Sequence, residues 1–80
     1  MNEVFEERLK KIMADIFQVK ITDITEDCSP DTIENWDSLQ QLNLVSALES
    51  EFSIELSADD ATDMLSYKLV REIVSEYLDV

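Results

Sequence analysis

The chain contains no glycine and no histidine, and it has one cysteine and one proline among its 80 residues. Without histidine it lacks the usual general base and the commonest metal ligand. The single cysteine, Cys28, excludes an internal disulfide and offers no zinc-binding spacing. A chain this short also has little room for a catalytic cleft, because it buries only about 60 to 65% of the surface that it exposes when unfolded. We therefore expect a protein that is not an enzyme and holds no metal.

Long apolar runs are also missing. No segment approaches the roughly 18 apolar residues that are needed to cross a bilayer. The first residues, Met1 to Phe5, lack the basic and then apolar order of a secretory signal. A calcium-binding loop is excluded as well, because its sharp turn requires a glycine. The sequence predicts a cytoplasmic protein without membrane insertion, which one free cysteine fits.

Positive charge is absent from the middle of the chain. Residues 21 to 67 hold twelve of the nineteen carboxylates and no lysine or arginine, whereas the flanks carry six basic residues against seven acidic ones. Nearly all of the net charge of −13 therefore lies in this central segment. A field of this sign repels nucleic acid and attracts basic protein surfaces. Part of it also fits a charged face kept for solubility.

Apolar residues at helical spacing predict one all-α domain over residues 1–80, with three longer helices and one short helix. Helix I extends from about Asn2, its expected cap, to Phe17, and helix II from about Asp37 to Phe52. A short helix III follows the cap Ser57, and Ser66 caps the last helix. The residues expected to face inward are Phe5, Leu9, Ile12 and Ile16 in helix I, Leu39, Leu42, Val45, Leu48 and Phe52 in helix II, Ala61, Met64 and Leu65 in helix III, and Leu69 or Val70, Ile73, Val74, Tyr77 and Leu78 in the last helix.

A long connection, from residue 18 to residue 35, separates helices I and II. The helical period fails there, and the apolar residues, including Ile33, predict that the segment packs along the core. Because the chain has no glycine, we expect Asn35 to make the sharp entry into helix II in the left-handed conformation. We expect Cys28 to be a partly buried loop residue rather than a reactive thiol, since no neighbouring base lowers its pKa.

The most informative motif is Trp36-Asp37-Ser38-Leu39, at the opening turn of helix II. Free backbone N–H groups and the positive end of the helix dipole at such a turn favour a phosphate ester on the serine. Serine is also a common helix cap, and Ser38 to Gln41 has the spacing of a capping box. From the residues alone, Ser38 is either a modification site or a cap.

This pattern resembles the acyl carrier proteins, in which the serine of an Asp-Ser-Leu motif at the start of helix II carries 4′-phosphopantetheine. Asp37, Ser38 and Leu39 match the attachment motif, residues 49–52 the acidic end of helix II, and residues 56–65 the loop and short third helix. The resemblance implies a four-helix bundle whose Ser38 is modified by a phosphopantetheinyl transferase, with coenzyme A and magnesium. It also implies a monomer that carries thioesters between acyl-loading and acyl-accepting enzymes.

The resemblance further implies a partner surface and a shelter for the acyl chain between helices II and III. The candidate partner residues are Trp36, Gln40, Asn43, Ser46 and Glu49. The candidate acyl-chain residues are Leu48, Phe52, Ala61 and Met64, although helical spacing also explains all four as core. Trp36 has a second interpretation, in which its ring pins the long loop onto the bundle.

Two departures from the family set this chain apart. Asn35 stands where carriers of general fatty acid synthesis have glycine, and helix II has no charge from Ser38 through Leu48, which leaves Asp37, Glu49 and Glu51 as ion-pair candidates. The positions expected on the exposed face of helix II are Gln40, Gln41, Asn43, Ser46 and Ser50. Because charges at the rim of an interface act on partner choice, we expect a specialised pathway of lipid, polysaccharide or secondary metabolism.

Two alternatives stay open. A peptidyl or D-alanyl carrier would share the fold and the arm but take a different cargo. In a different class, an acidic helical adaptor would use Ser38 only as a helix cap and would bind its partner directly through the polar face of helix II.

Overall fold

A computed structural model describes residues 3–78. Helix α1 spans Glu3–Phe17, α2 Ser38–Phe52, α3 Ala58–Asp63 and α4 Tyr67–Leu78, with one 3-10 turn at Ile21–Asp23 and no strand in this range. The prediction of an all-α bundle with three longer helices and a short third one is confirmed. None of the helices between residues 3 and 78 has the length and apolar character that a bilayer crossing needs. The predicted cap Asn2 lies outside the described residues.

Helix α1 buries one row of side chains against the rest of the bundle. Its buried residues are Phe5, Leu9, Met13, Ala14 and Phe17. The row advances by four residues a turn, so these side chains lie above one another on a single face. Ile12 and Ile16, which helical spacing predicts on this face, lie at its edge and are only partly buried.

The inward face of α2 differs from the predicted one. Leu44 and Leu48 are fully buried, whereas Leu39 and Leu42 are 67% and 66% exposed. The sequence offers two apolar rows on this helix, and only packing decides which row faces the core. The row through Leu39 and Leu42 is therefore left on the surface, and their predicted burial is wrong.

The two long helices α1 and α2 end without glycine. Gln18, at φ 57°, and Ser53, at φ 54°, take the left-handed conformation directly after them. The prediction that Asn35 adopts this conformation is wrong, because these two residues alone have a positive φ in the described range. Asn35 acts through its side chain instead: its Nδ2 donates to the carbonyl of Phe17 at 2.8 Å. That bond satisfies a carbonyl at the C-terminal end of α1 and fixes the loop to it.

Both predicted serine caps are confirmed. Ser57 Oγ accepts from the N–H of Asp60 and Ser66 Oγ accepts from that of Leu69, each at 3.1 Å. In α4, Val70 and Val74 are buried, so the inward position is Val70 and not Leu69.

Two apolar residues predicted to face inward lie at the surface instead. Leu65 is 53% exposed and Tyr77 is 37% exposed. The hydroxyl of Tyr77 donates to Asp60 Oδ2 at 2.6 Å and accepts from the N–H of Ser57 at 3.1 Å. This polar tip explains why Tyr77 stays at the edge, where it ties α4 to the start of α3.

The long loop packs along the core, as predicted. Ile24, Cys28, Ile33 and Trp36 are all buried, and the Trp36 ring stacks on Phe17 with their centroids 4.6 Å apart. Burial raises the pKa of the Cys28 thiol. A buried thiol of raised pKa is a poor nucleophile, which agrees with the structural role expected of Cys28.

A charged cluster, made of Glu6, Glu26, Tyr67 and Arg71, joins α1, the loop and α4. Arg71 Nη1 lies 3.2 Å from Glu6 Oε1 and 2.6 Å from Glu26 Oε1. The hydroxyl of Tyr67 donates to Glu6 Oε1 at 3.1 Å, and the guanidinium of Arg71 lies over the Tyr67 ring. We call these four residues the Arg71 cluster. It fixes the side of the bundle formed by α1, the loop and α4.

Candidate functional site

Ser38 is the first residue of α2, and its side chain is exposed. The residue that caps the helix is Asp37, whose Oδ1 accepts from the N–H of Gln40 at 2.9 Å. The capping-box interpretation of Ser38 and Gln41 is therefore wrong. Within the described part of the chain, the Ser38 hydroxyl makes no hydrogen bond. It is an accessible hydroxyl that the helix does not need for its own capping.

A groove of about 390 Å³ opens beside Ser38, between α2 and α3. Its walls are mostly apolar side chains, with the loop closing one end at Pro30 and Trp36. Its apolar lining includes Leu42, Val45, Ala61 and Leu65. Leu42, Val45 and Leu65 were missed as groove residues, because helical spacing places them in the core and gives no sign of a second apolar row at the surface.

The structure brings one of the four acyl-chain candidates to this groove. Ala61 lines it, whereas Leu48 and Met64 are fully buried in the core. Phe52 lies in a different part of the molecule, where its ring packs against Phe5 with the centroids 5.5 Å apart. Leu48, Phe52 and Met64 are therefore held in packing contacts and do not line the space next to Ser38.

Gln41 lies at the inner side of the groove and is half-buried, so its predicted exposure is wrong. Its Oε1 accepts from Trp36 Nε1 at 2.6 Å. Its Nε2 donates to the carbonyls of Ala61, at 2.8 Å, and Met64, at 3.1 Å. One side-chain amide thus connects the loop, α2 and the end of α3.

Proteins of known function share this sequence pattern over most of its length. The acyl carrier protein of Buchnera aphidicola subsp. Schizaphis graminum is 39% identical over 61 residues, which are 76% of each chain. The chain belongs to the acyl carrier protein family. An acyl carrier protein of Buchnera aphidicola subsp. Baizongia pistaciae is 32% identical over 79 residues, covering 91% of this chain and 94% of its own. That of Nitratidesulfovibrio vulgaris is 34% identical over 70 residues, covering 88% and 92%. No protein-family model matches.

Membership of the acyl carrier protein family directs attention to the exposed side of α2, where the candidate partner residues were expected. Asn43 and Ser46 are exposed, and Asn43 Nδ2 donates to Oε1 of the partly buried Gln40 at 2.9 Å. Trp36, in contrast, is only 3% exposed and packs as expected if it pins the long loop. A partner contact by Trp36 stays a prediction that this packing does not favour.

The three carboxylates expected to form ion pairs with partners all have partners inside the chain. Asp37 caps α2, and Glu49 Oε2 accepts from the N–H of Leu56 at 2.9 Å. Glu51 forms an ion pair with Arg8. The hydrogen bonds leave the charges of Asp37 and Glu49 in place at the two ends of α2, but residues 38–48 between them carry no charge, so this stretch of the exposed face is neutral in spite of the net charge of −13.

Three exposed leucines accompany this neutral face. Leu39 and Leu42 lie one turn apart on α2, and Leu42 and Leu65 both line the groove. We call Leu39, Leu42 and Leu65 the leucine patch. Large apolar side chains that stay exposed together next to a functional group are characteristic of binding surfaces.

Proposed function

We propose that this member of the acyl carrier protein family takes a 4′-phosphopantetheine arm on Ser38 and carries acyl groups as thioesters. The observation that carries the proposal is the position of Ser38. Its hydroxyl is exposed at the first residue of α2, while Asp37 does the capping. The serine of the Asp-Ser-Leu motif therefore makes no capping bond that would compete with modification.

The start of α2 fits a phosphodiester. The N–H groups of its first residues have no partner within the helix, and the helix dipole is positive at this end. The nearest carboxylate, on Asp37, is turned to the N–H of Gln40. The groove next to Ser38 gives the arm a mostly apolar surface along Leu42, Val45 and Leu65.

In the attachment reaction, this chain supplies the nucleophile alone. Ser38 Oγ bonds to the pantetheine phosphorus of coenzyme A, the pyrophosphate P–O bond breaks, and adenosine 3′,5′-bisphosphate leaves. The hydroxyl proton passes to a base outside this chain, because no described residue accepts a hydrogen bond from the Ser38 hydroxyl. When bound, the arm would supply a terminal thiol as the acyl acceptor, and the catalytic groups for acyl transfer belong to the partner enzymes. The chain itself acts as substrate and carrier, without catalysis of its own.

We further propose that the partners are those of a specialised pathway. Basic enzymes would dock on acidic side chains along the exposed face of α2, and residues 38–48 have none; Asp37, Glu49 and Glu51, at its two ends, also bond within the chain. The neutral face and the leucine patch suit partners that dock through apolar contacts and hydrogen bonds. Such docking depends less on salt than docking through rim charges.

The experiment that tests the attachment is intact mass after incubation with coenzyme A, magnesium and a broad-specificity phosphopantetheinyl transferase. We expect a gain of about 340 Da, the mass of the arm that the cofactor brings. Ser38→Ala should show no gain, and the matched variant Ser46→Ala, at another exposed serine of α2, should gain the same mass as the native chain. A gain in Ser38→Ala would place the attachment at another residue and contradict the role of Ser38. No gain in the native chain with a transferase that loads a reference carrier would favour the adaptor instead.

A further inference from the structure

The residues of α3 itself are positioned by polar contacts, while Met64, the residue that follows its last turn, is buried in the core. This helix has six residues, none of them buried. A helix of this length is not stable by itself in water. It is held at one end by Tyr77, which bonds Asp60 and the N–H of Ser57, and at the other by the amide of Gln41. Loss of the Gln41 contact would leave this end of α3 held by the buried side chain of Met64 alone, and would make opening there easier.

The chemistry of its neighbours fixes the orientation of the Gln41 amide. The indole N–H of Trp36 can only donate, and the carbonyls of Ala61 and Met64 can only accept. A side chain at this position must therefore accept on one side and donate twice on the other. Glutamine does both, whereas leucine, of similar size, does neither.

The same amide closes the route from the groove to the core. Gln41 and Ala61 line the groove, whereas Leu48 and Met64 do not line it and are fully buried, and Gln41 bonds the carbonyl of Met64. A chain that starts at Ser38 reaches these residues only if α3 moves away from α2. The bonds from Gln41 to Ala61 and Met64 oppose that movement.

We infer that Gln41 is a positioning residue that latches α3 to α2 and keeps the cargo of a Ser38-linked arm in the surface groove, out of the core. This inference rests on the proposed function for the cargo, but the latch exists in the unmodified chain. With the latch closed, an acyl group rests against Leu42, Val45 and Leu65. With the latch broken, a long acyl group enters between α2 and α3.

The first test uses the unmodified chain, so that it does not depend on attachment of the arm. Hydrogen exchange is followed by NMR at the indole N–H of Trp36, the one tryptophan of the sequence, and at the amides of residues 61–65. Two hydrogen bonds to carbonyls correspond to roughly a tenfold change in local opening. We expect Gln41→Leu to speed exchange at these sites by about that factor and to leave α1 unchanged.

Two further variants separate the latch from general stability. Gln40→Leu, a matched change at the adjacent residue, should leave exchange at the indole and at residues 61–65 as in the native chain. Gln41→Asn keeps the accepting oxygen and the donating NH2 group on a shorter side chain. We expect it to weaken the same hydrogen bonds and to speed exchange at residues 61–65 by a smaller factor. Unchanged exchange at residues 61–65 in Gln41→Leu and Gln41→Asn, or equal acceleration in α1, would overturn the inference.

The second test concerns the cargo. Native and Gln41→Leu chains are loaded from butanoyl-, octanoyl- and dodecanoyl-coenzyme A, and their Tm values are compared with those of the unacylated forms. We expect the native Tm to be the same for all three acyl groups. In Gln41→Leu the Tm should rise with chain length, because a longer group buries more apolar surface in the folded state. A native Tm that rises in the same way would show that the closed latch does not exclude the cargo. Failure to load would contradict the proposed function and leave the exchange test decisive for the latch.

Discussion

The two sides of this small bundle are built by different means. On one side, α1, the loop and α4 are joined by the Phe17–Trp36 stack and by the Arg71 cluster. On the other, the start of α2 and the whole of α3 bury few side chains, and Leu39 and Leu42 are about two-thirds exposed. The first side carries the stability of the fold, and the second is free to present Ser38. The two sides meet at Trp36, which stacks on Phe17 and also closes one end of the groove beside Ser38.

The charges follow the same division. Arg71 and Arg8 pair with carboxylates inside the chain, and the carboxylates at the two ends of α2 satisfy backbone N–H groups or Arg8. What remains exposed between those ends is neutral. A net charge of −13 therefore describes the molecule as a whole and does not describe the face next to Ser38.

The largest loss of stability is expected from Trp36→Ala, on the side of the bundle formed by α1, the loop and α4. The change removes a ring that is 3% exposed and stacked on Phe17, and it leaves Gln41 Oε1 without its donor. We expect a loss of about 3 to 5 kcal/mol in the free energy of unfolding, measured by urea denaturation. Leu39→Ala, at an exposed position of α2, should change it by less than about 0.5 kcal/mol. Similar losses in the two variants would remove the distinction between the two sides.

Alkaline pH should weaken the same side. Burial, followed by the charge of Glu6, raises the pKa of Tyr67, and burial raises the pKa of Cys28 above the ordinary value of 9.0. Both groups are neutral when protonated, so the unfolded chain loses their protons before the folded chain does. The part of the free energy of unfolding that these two protonated groups contribute is fully present below their ordinary pKa values. As the pH rises from each ordinary pKa towards the raised one, that part falls by up to about 1.4 kcal/mol per pH unit for each group.

Urea denaturation between about pH 8 and pH 11, a range that includes the ordinary pKa values of both groups, measures the fall in the free energy of unfolding. Cys28→Ala and Tyr67→Phe should each flatten the decline. A native stability that stays constant across this range would contradict the raised pKa values.

A smaller change in the free energy of unfolding is expected at the first turn of α2, where two adjacent residues have different structural roles. Asp37→Ala removes the side chain that accepts from the N–H of Gln40 and should cost about 1 kcal/mol, within the usual range for a lost cap. Ser38→Ala removes a hydroxyl that makes no hydrogen bond in the described range and should stay within about 0.5 kcal/mol. Thermal unfolding of the two variants side by side makes the comparison. An equal cost would return Ser38 to the role of a cap.

Helical spacing predicted the order and type of the helices, and the serine caps before α3 and α4, because those features depend on local residues. It did not predict which of two apolar rows on α2 faces inward, since Leu42 and Leu44 are equally apolar and only the packing of α2 in the bundle separates them. The place of Ser38 at the opening of α2 followed from its motif. The task of Gln41 did not, because its partners are 5, 20 and 23 residues away.

The residues with a left-handed backbone conformation could not be predicted from the sequence either. In a chain without glycine, asparagine is the residue type best suited to a positive φ, and Asn35 was the natural candidate. The structure uses Gln18 and Ser53 instead, where helices end. The end of a helix imposes the backbone geometry at those two positions. Asn35 instead uses its side-chain amide, which donates a hydrogen bond to the carbonyl of Phe17.

The smallest effect concerns the neutral face of α2. Asn43→Asp combined with Ser46→Glu places two carboxylates on exposed positions beside the leucine patch without breaking a buried contact. Stability should change by no more than about 0.5 kcal/mol. The association rate with a basic fatty acid synthase enzyme should rise at low salt, and the gain should shrink as salt screens the added charge. Stopped-flow binding at two ionic strengths measures both effects, with Asn43→Gln and Ser46→Gln together as the uncharged control. If the charged pair and the uncharged pair bind at the same rate at low salt, partner choice on this face is set by the leucine patch and not by the absence of charge.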